Sequence, residues 1–448
     1  MKSRRSAAVS VAGAAFGVLS ALAVAQETNT DFKGLYEAQT QRNVELERRI
    51  RLIEEHNAQD LYLKKESVPE PTLSFLESAE LGGLISSSYF YNFNEPENRE
   101  NAGRGFDNRH NEFMLNKAVL AISKPAEYNA FDWQSGYTAK FFIGQDARYT
   151  MTDLSVGDFG DLFEANLTVN VPVGNGLKVS FGKYGTPMGY EASFTEENSN
   201  WSGGLQWALL EPFTHTGVRA TYALNAQWEF EVCAFNGWDI VQDNNSAKSY
   251  MAHVSYTPRE ATTLSLIGYG GPEQEGNDSN WRRGVDFYIQ QKLTRHLTCV
   301  AQVDWGMEGG AAAAAAPSAE GDLDSGSGEV VPADETAASE AAAEPGTAEW
   351  WGGGLWLIYE PSEKWSVALR GDYVNDVNGV RSSGVPAPAP LPENDGAEFY
   401  SVTLTLNEKP TGNLRIAPEF RWDRSTLDNA FDGRRDQTTL GVGAAFAF

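Results

Sequence analysis

Cysteine is nearly missing. Cys233 and Cys299 are the only two among 448 residues, which excludes a disulfide framework and a cysteine-based metal site. Positive charge is scarce: 35 Lys and Arg stand against 61 Asp and Glu, a formal net charge of −26. A chain so acidic repels nucleic acid, and that class of partner is set aside. Beyond the N-terminus no apolar run approaches the ~18–20 residues of a membrane-crossing helix, so a helical membrane protein is excluded. Catalytic signatures are missing too. His56, His110, His215, His253 and His296 are too scattered for a spacing such as H-E-x-x-H, and neither a G-x-S-x-G elbow nor a P-loop occurs. Asp322-Leu323-Asp324-Ser325-Gly326 imitates a calcium loop only faintly, because the Glu and Gly positions do not match. No catalytic residue and no metal-ligand set is expected.

What is present begins at the N-terminus. Lys2, Arg4 and Arg5 precede an apolar, small-residue stretch from Ala7 to Leu22, and Ala23-Val24-Ala25 fits the A-x-A cleavage rule. Residues 1–25 therefore read as a cleaved export signal. Its removal takes away three basic residues and leaves a net charge of −29. Residues 26–70 are expected to form a periplasmic helix and a Pro linker. Leu46, Ile50, Ile53, Asn57 and Leu61 recur at helical spacing, with Thr30 or Asp31 as a start signal. The seam fits either one solvated helix or a small trimeric coiled coil with Asn57 as a register-setting position. Val68-Pro69-Glu70-Pro71 ends it.

From residue 71 to 448 the texture changes to segments of about ten residues that alternate apolar and polar. Leu414, Ile416, Pro418, Phe420 and Trp422 share one face of such a segment; Arg415, Ala417, Glu419, Arg421 and Asp423 share the other. The same phase recurs with Val367, Leu369 and Tyr373 against Ser366, Ala368, Arg370 and Asp372. Seven short connections alternate with eight long ones, which predicts 16 antiparallel strands. The expected fold is all-β: a transmembrane antiparallel barrel of about 16 strands. In lipid every backbone N–H and C=O must pair within the protein, so a sheet can cross only when closed. Its apolar face then meets lipid and its polar face the lumen. That reconciles a membrane protein with a mean hydropathy of −0.40. Trp133, Trp281, Trp305, Trp351, Tyr359, Trp365, Tyr373 and Trp422 fall near strand ends, as interfacial girdles require. Leu440, Val442, Ala444, Phe446 and Phe448 share a face, and a terminal aromatic of this kind resembles the assembly signal of outer-membrane barrels. The stretch 307–346 is rich in Ala, Glu, Gly and Pro. With residues up to 349 it holds ten acidic residues and no basic one, which reads as a disordered external loop.

Strand phase points Lys117, Lys140, Lys178, Arg219, Arg282, Arg370, Arg415 and Arg421 inward, together with Asp132, Glu164, Asp286, Asp372 and Glu419. About 16 strands leave an aqueous channel, and charged rings in a channel set ion preference. The third long loop, 184–211, is the candidate constriction. It carries Glu191, Glu196 and Glu197 with Trp201 and Trp207. Acids on the loop facing arginines on the wall would create a transverse field that filters ions; the same charges could instead pair off and merely hold the loop.

Several segments resemble the OmpL-like β-barrel porins. These are Gly82–Phe93, with Tyr89-Phe90-Tyr91-Asn92-Phe93; Asn111–Lys117 with Leu120–Pro125; Pro212–Tyr222; and Asn236-Gly237-Trp238-Asp239 followed by Asp243-Asn244-Asn245. The likeness runs from about 80 to 270. It implies an outer-membrane diffusion channel without a cofactor, with Arg219 on the lumen wall, whose partners are the lipid bilayer, small hydrophilic solutes and ions. Three functions follow from the sequence: a porin, homotrimeric if the helical seam assembles; a structural or adhesive barrel using the acidic loop and the helix; and a barrel hydrolase, for which no side-chain cluster is found.

Overall fold

The computed structural model describes residues 78–148, 160–312, 346–383, 391–392 and 394–448. The expected signal, the helix with its seam, and most of the acidic loop, its calcium-like stretch included, lie outside the described residues. Sixteen strands appear in chain order. They are β1 (Glu80–Asn92), β2 (Glu112–Lys124), β3 (Gln134–Ile143), β4 (Gly160–Val171), β5 (Leu177–Gly185), β6 (Thr214–Ala223), β7 (Trp228–Phe235) and β8 (Ser249–Arg259). The second half comprises β9 (Thr262–Pro272), β10 (Trp281–Lys292), β11 (Leu297–Ala312), β12 (Gly346–Ser362), β13 (Trp365–Asp376), β14 (Ala397–Thr411), β15 (Leu414–Ser425) and β16 (Asp436–Ala447). A five-residue helix, α1 (Leu205–Leu209), lies between β5 and β6.

Each strand pairs antiparallel with its neighbours, and β1 closes on β16 in the register Ser88↔Gly443. Closure leaves no strand edge unpaired, which is what allows a sheet to stand in lipid. The seam is fastened at its end by reciprocal bonds, Gly83 N–H to the Phe448 carbonyl and Phe448 N–H to the Gly83 carbonyl. Short connections gather at the rim where β1 begins; long ones gather at the other.

Side-chain placement follows the alternation. On β15, Phe420 is 44% exposed on the outer wall while Glu419 and Arg421 are at most 1% exposed inside. Leu440, Val442 and Phe446 of β16, and Val402, Leu404 and Leu406 of β14, also face outward. Trp281, Trp305, Trp351, Tyr359 and Trp365 stand exposed on the outer wall. Tyr373 packs between Trp351 and Tyr400 in tilted contacts at centroid distances of 4.9 and 5.1 Å. Trp133 is exposed in the connection between β2 and β3. The strands flanking the acidic loop run further than expected: β11 continues through Met307 to Ala312, and β12 starts at Gly346.

Two bulges adjust the inner face. The register between β1 and β2 slips at Ser86/Ser87, so Asn116 and the neighbouring Lys117 are both buried on the inside. A slip between β3 and β4 at Lys140/Phe141 similarly turns Phe163 inward beside Glu164.

Candidate functional site

The long connection after β5, residues 186–213 (L3), enters the barrel. Local chemistry shapes it first. The Asn198 carboxamide accepts from Ala192 N–H at 2.7 Å and donates to the Ala192 carbonyl at 2.9 Å, closing a tight bend. The N–H groups that open α1 have no helical acceptor. Gly204 N–H donates to Glu191 at 2.6 Å and Leu205 N–H to Asp372 of β13 at 2.8 Å. Glycines let the wall approach: a Cβ on Gly443 of β16 would sit 2.0 Å from the Trp201 ring, and Gly105 and Gly203 both lie against Trp207.

Charged groups stitch L3 to two sides of the wall. On one side Lys117 of β2, fully buried, pairs with Glu196 of L3 at 2.9 Å and with Asp146 at 2.8 Å; the Ser86 hydroxyl donates to Glu196 at 2.5 Å. On the other side Arg370 of β13, also fully buried, meets Glu191 at 2.7 Å, Asp372 at 3.0 Å and the Ser202 carbonyl at 2.6 Å. Glu419 of β15 accepts from Trp201 N–H at 2.7 Å and Ser202 N–H at 3.1 Å. Arg421 donates to the Gly203 carbonyl at 2.6 Å, and Arg415 to the Glu196 carbonyl at 2.7 Å. Burial raises the Glu196 carboxyl, but Lys117 and the Ser86 hydroxyl outweigh it and hold the group below its usual range. Burial instead dominates at Asp146, pushed up to about 6 despite Lys117.

Apolar clusters line the wall between these anchors. Leu205, Leu209 and Leu210 of L3 pack on Trp350, Val374 and Phe399, and Tyr190 packs on Val300 and Trp356. Met188 joins Tyr184, Phe235, Met251 and Ile267, while Phe194 joins Phe142 and Phe163. The loop therefore carries a core of its own inside the barrel.

The remaining charges sit where L3 leaves the wall wetter. Lys140 is 3.7 Å from Glu164 with side chains 23% and 20% exposed; Arg219 is 3.8 Å from Glu231 and 28% exposed. Arg282 pairs with Glu308 at 2.8 Å and lies over Trp238. Lys178 is half-buried over the Tyr128 ring at 3.8 Å. Of the three loop acids, Glu191 and Glu196 are engaged in ion pairs, whereas Glu197 is exposed. His215, fully buried, meets the Thr186 hydroxyl at 3.0 Å with no acid beside it among its bonds.

Sequence phase alone missed several partners. Asp146 sits in a 3-10 turn after β3 and Arg104 in the loop after β1, where no strand phase exists to orient them. Arg104 pairs with Asp423 at 2.6 Å and with Asp107. The cluster of Glu211, Asp286 and Asp304 joins one loop acid to two wall acids; only Asp286 is singled out by phase.

Comparison with solved structures returns outer-membrane proteins of the same fold. The anion-selective porin from Comamonas acidovorans matches at TM-score 0.54 and 10% identity, covering 83% of this chain and 99% of that one. The outer membrane channel DcaP of Acinetobacter baumannii matches at TM-score 0.51 and 13% identity, covering 83% and 97%. OmpT of Vibrio cholerae in its trimer form matches at TM-score 0.50 and 13% identity, covering 83% and 99%. Identities this low establish the shared fold alone. No curated protein matches by sequence. The family model described as "Putative beta-barrel porin-2, OmpL-like" matches residues 78–448, and the chain belongs to that family of outer-membrane β-barrels.

Proposed function

From this family membership we propose that the protein is a passive diffusion channel for small hydrophilic solutes and ions, with L3 as its constriction. Rate and selectivity come from cross-section and charge, not from chemistry. The observation that carries the reading is the division of the wall charges: the ion pairs that seat L3 come from Lys117 of β2 and Arg370 of β13, while Lys140, Glu164 and Arg219 on β3, β4 and β6 pair with other wall residues and stay partly exposed. We take Lys117, Arg370, Arg415, Glu419 and Arg421 as the residues that position the constriction. Lys140, Lys178, Arg219 and Arg282, with Glu197 on the loop, are the charges that a passing ion meets. Planar-bilayer recording tests this. Stepwise conductance is expected, with a reversal potential across a salt gradient that moves toward cations in Arg219→Glu.

A sealed structural or adhesive barrel is the competing reading, and the apolar packing of L3 against the wall favours it. Folded protein that stays electrically silent in the bilayer would select it and reject the channel. Homotrimeric assembly, suggested by the helical seam, is also part of the proposal; the similar OmpT occurs in a trimer form. Native mass in detergent, with and without residues 26–66, tests the helix: an unchanged mass on deletion removes its role.

A further inference from the structure

Away from the lumen, a cleft of about 340 Å³ opens on the outer wall near the long-loop rim, lined by Tyr400, Trp422, Arg424, Ser425, Thr426 and Arg435. Its volume lies within the ~300–1,000 Å³ range of small-molecule sites. Register fixes its depth in the membrane. Arg424 of β15 lies opposite Tyr400 of β14, and Trp422 opposite Val402. Further down the wall the outward side chains are Leu404, Phe420 and Leu440, all exposed and apolar. Tyr400 also ends the aromatic row of Trp351 and Tyr373. On the other side of the cleft the chain passes into exposed polar residues, among them Asp428, Arg434 and Asp436. The cleft therefore straddles the border between the apolar band and the polar rim, the level at which lipid headgroups stand.

The charge of the cleft is one-sided. Both charged groups that line it are arginines, in a chain with 61 acidic residues against 35 basic ones. The acids nearby are directed elsewhere. Glu398 accepts from the Tyr400 hydroxyl, and Asp428 holds Arg435 through Nε. Asp436 faces Arg424 in the β15–β16 register but forms no ion pair with it. Among the described residues, the Arg424 guanidinium and the terminal nitrogens of Arg435 thus have no partner, and both side chains are exposed. The arginines that seat loops inside the barrel differ: Arg104, Arg370 and Arg421 each meet an acid. At headgroup depth, beside Tyr400 and Trp422, the anions within reach of a guanidinium are lipid phosphates. Its planar fork matches phosphate oxygens two at a time. The Thr426 hydroxyl accepts from Glu398 N–H at 3.0 Å and keeps its own hydrogen to donate.

We propose that this cleft binds the phosphate headgroup of an outer-leaflet lipid. Arg424 and Arg435 grip the phosphate, the Thr426 hydroxyl adds a donor, and the outward apolar side chains of β14, β15 and β16 carry the acyl chains. The long-loop rim is the external one in barrels of this type, which sets the leaflet. Free phosphate would meet the same arginines but gain nothing from the wall over Phe420 and Leu440, where burial of acyl chains adds to the affinity.

The test uses the full-length protein in detergent, titrated with lipid A, whose headgroup carries phosphate monoesters, and read by native mass spectrometry as lipid bound per chain. One saturable lipid is expected. Arg424→Gln/Arg435→Gln should bind it about tenfold more weakly or worse, and millimolar inorganic phosphate should not displace it from the parent. Arg424→Gln alone breaks no ion pair or side-chain bond of the described fold, so its weaker binding is not a folding defect. Arg283→Gln is the control, because Arg283 is exposed on the outer face of β10, outside the cleft, and the change removes the same charge; it should bind like the parent. Equal affinity in the parent and the double variant would overturn the proposal. So would an equal loss in Arg283→Gln, the mark of unspecific charge attraction, or displacement by phosphate alone, the mark of a free-anion site. None of these readouts involves conductance, so the site stands or falls apart from the channel.

Discussion

Replacing Arg370 by methionine keeps much of the volume and removes the only cation that pairs with Glu191 and Asp372 among the described residues. Glu191 would retain Gly204 N–H at 2.6 Å and the Trp356 indole at 3.3 Å; Asp372 would retain Leu205 N–H at 2.8 Å. Two buried carboxylates would then lack a counter-charge. Removing one partner of a buried pair costs about 3–5 kcal/mol, which corresponds to roughly a 10²- to 10⁴-fold shift in an equilibrium. The ladder bonds of the wall do not involve the Arg370 side chain, so the penalty falls on the seating of L3 and not on the barrel. The loop contains no Lys or Arg but has Glu191, Glu196, Glu197 and Glu211, so a Glu-specific protease reports its release. Arg370→Met should be cut within L3 while the barrel stays folded, and single-channel records should show a larger conductance level. The triple variant Arg370→Met/Glu191→Gln/Asp372→Asn removes the stranded charges and should recover most of the protection. The reasoning fails if Arg370→Met resists cleavage like the parent, or if the triple variant is cut as fast as the single one.

Three further outcomes follow from the geometry. Glu197→Lys should move the reversal potential toward anions, because Glu197 is the exposed acid of the loop; no movement would remove it from the ion path. Gly443→Val places a side chain where the Trp201 ring lies, 2.0 Å from its Cδ2, and should cost about 1–3 kcal/mol of packing, read as faster cleavage of L3; unaltered protection would contradict the close contact. Asp239, in the loop after β7, accepts N–H bonds from Phe213 and Thr214, both at 2.8 Å, yet burial pushes its carboxyl up to about 6. The unfolded value is about 3.9, so between the two the native state holds the extra proton, and this stability is full below about pH 4 and drains as pH rises through 6. Asp146 acts in the same direction. The urea midpoint should be higher at pH 5 than at pH 7.5, and Asp239→Asn, which can accept the same two bonds, should shrink that difference; a difference of unchanged size would refute the assignment.

Alternation was enough to orient much of the wall. Phe420 out and Arg421 in follow from period two once the apolar face is assigned to lipid, because a strand cannot turn one side chain without turning its neighbours. Even the bulge at Asn116 left Lys117 inside, since the pairing resumes at Ser86↔Lys117 with Leu120 outward. Loops carry no such period. Nothing in the spacing showed that Glu191 and Glu196 would be spent on Arg370 and Lys117, leaving Glu197 exposed, or that Leu205, Leu209 and Leu210 would give L3 an apolar footing inside a polar-faced barrel.

The sequence by itself determined a closed antiparallel barrel, its strand count and which face of each strand meets lipid, since these rest on local periodicity and on the demand that every backbone polar group be paired. Tertiary structure decided what occupies the lumen. Glu211, Asp286 and Asp304 come from a loop and two strands, and Lys117, Asp146 and Glu196 from a strand and two loops. Their meeting depends on where L3 crosses a cylinder that exists only after β1 has closed on β16, a long-range event that no local pattern encodes.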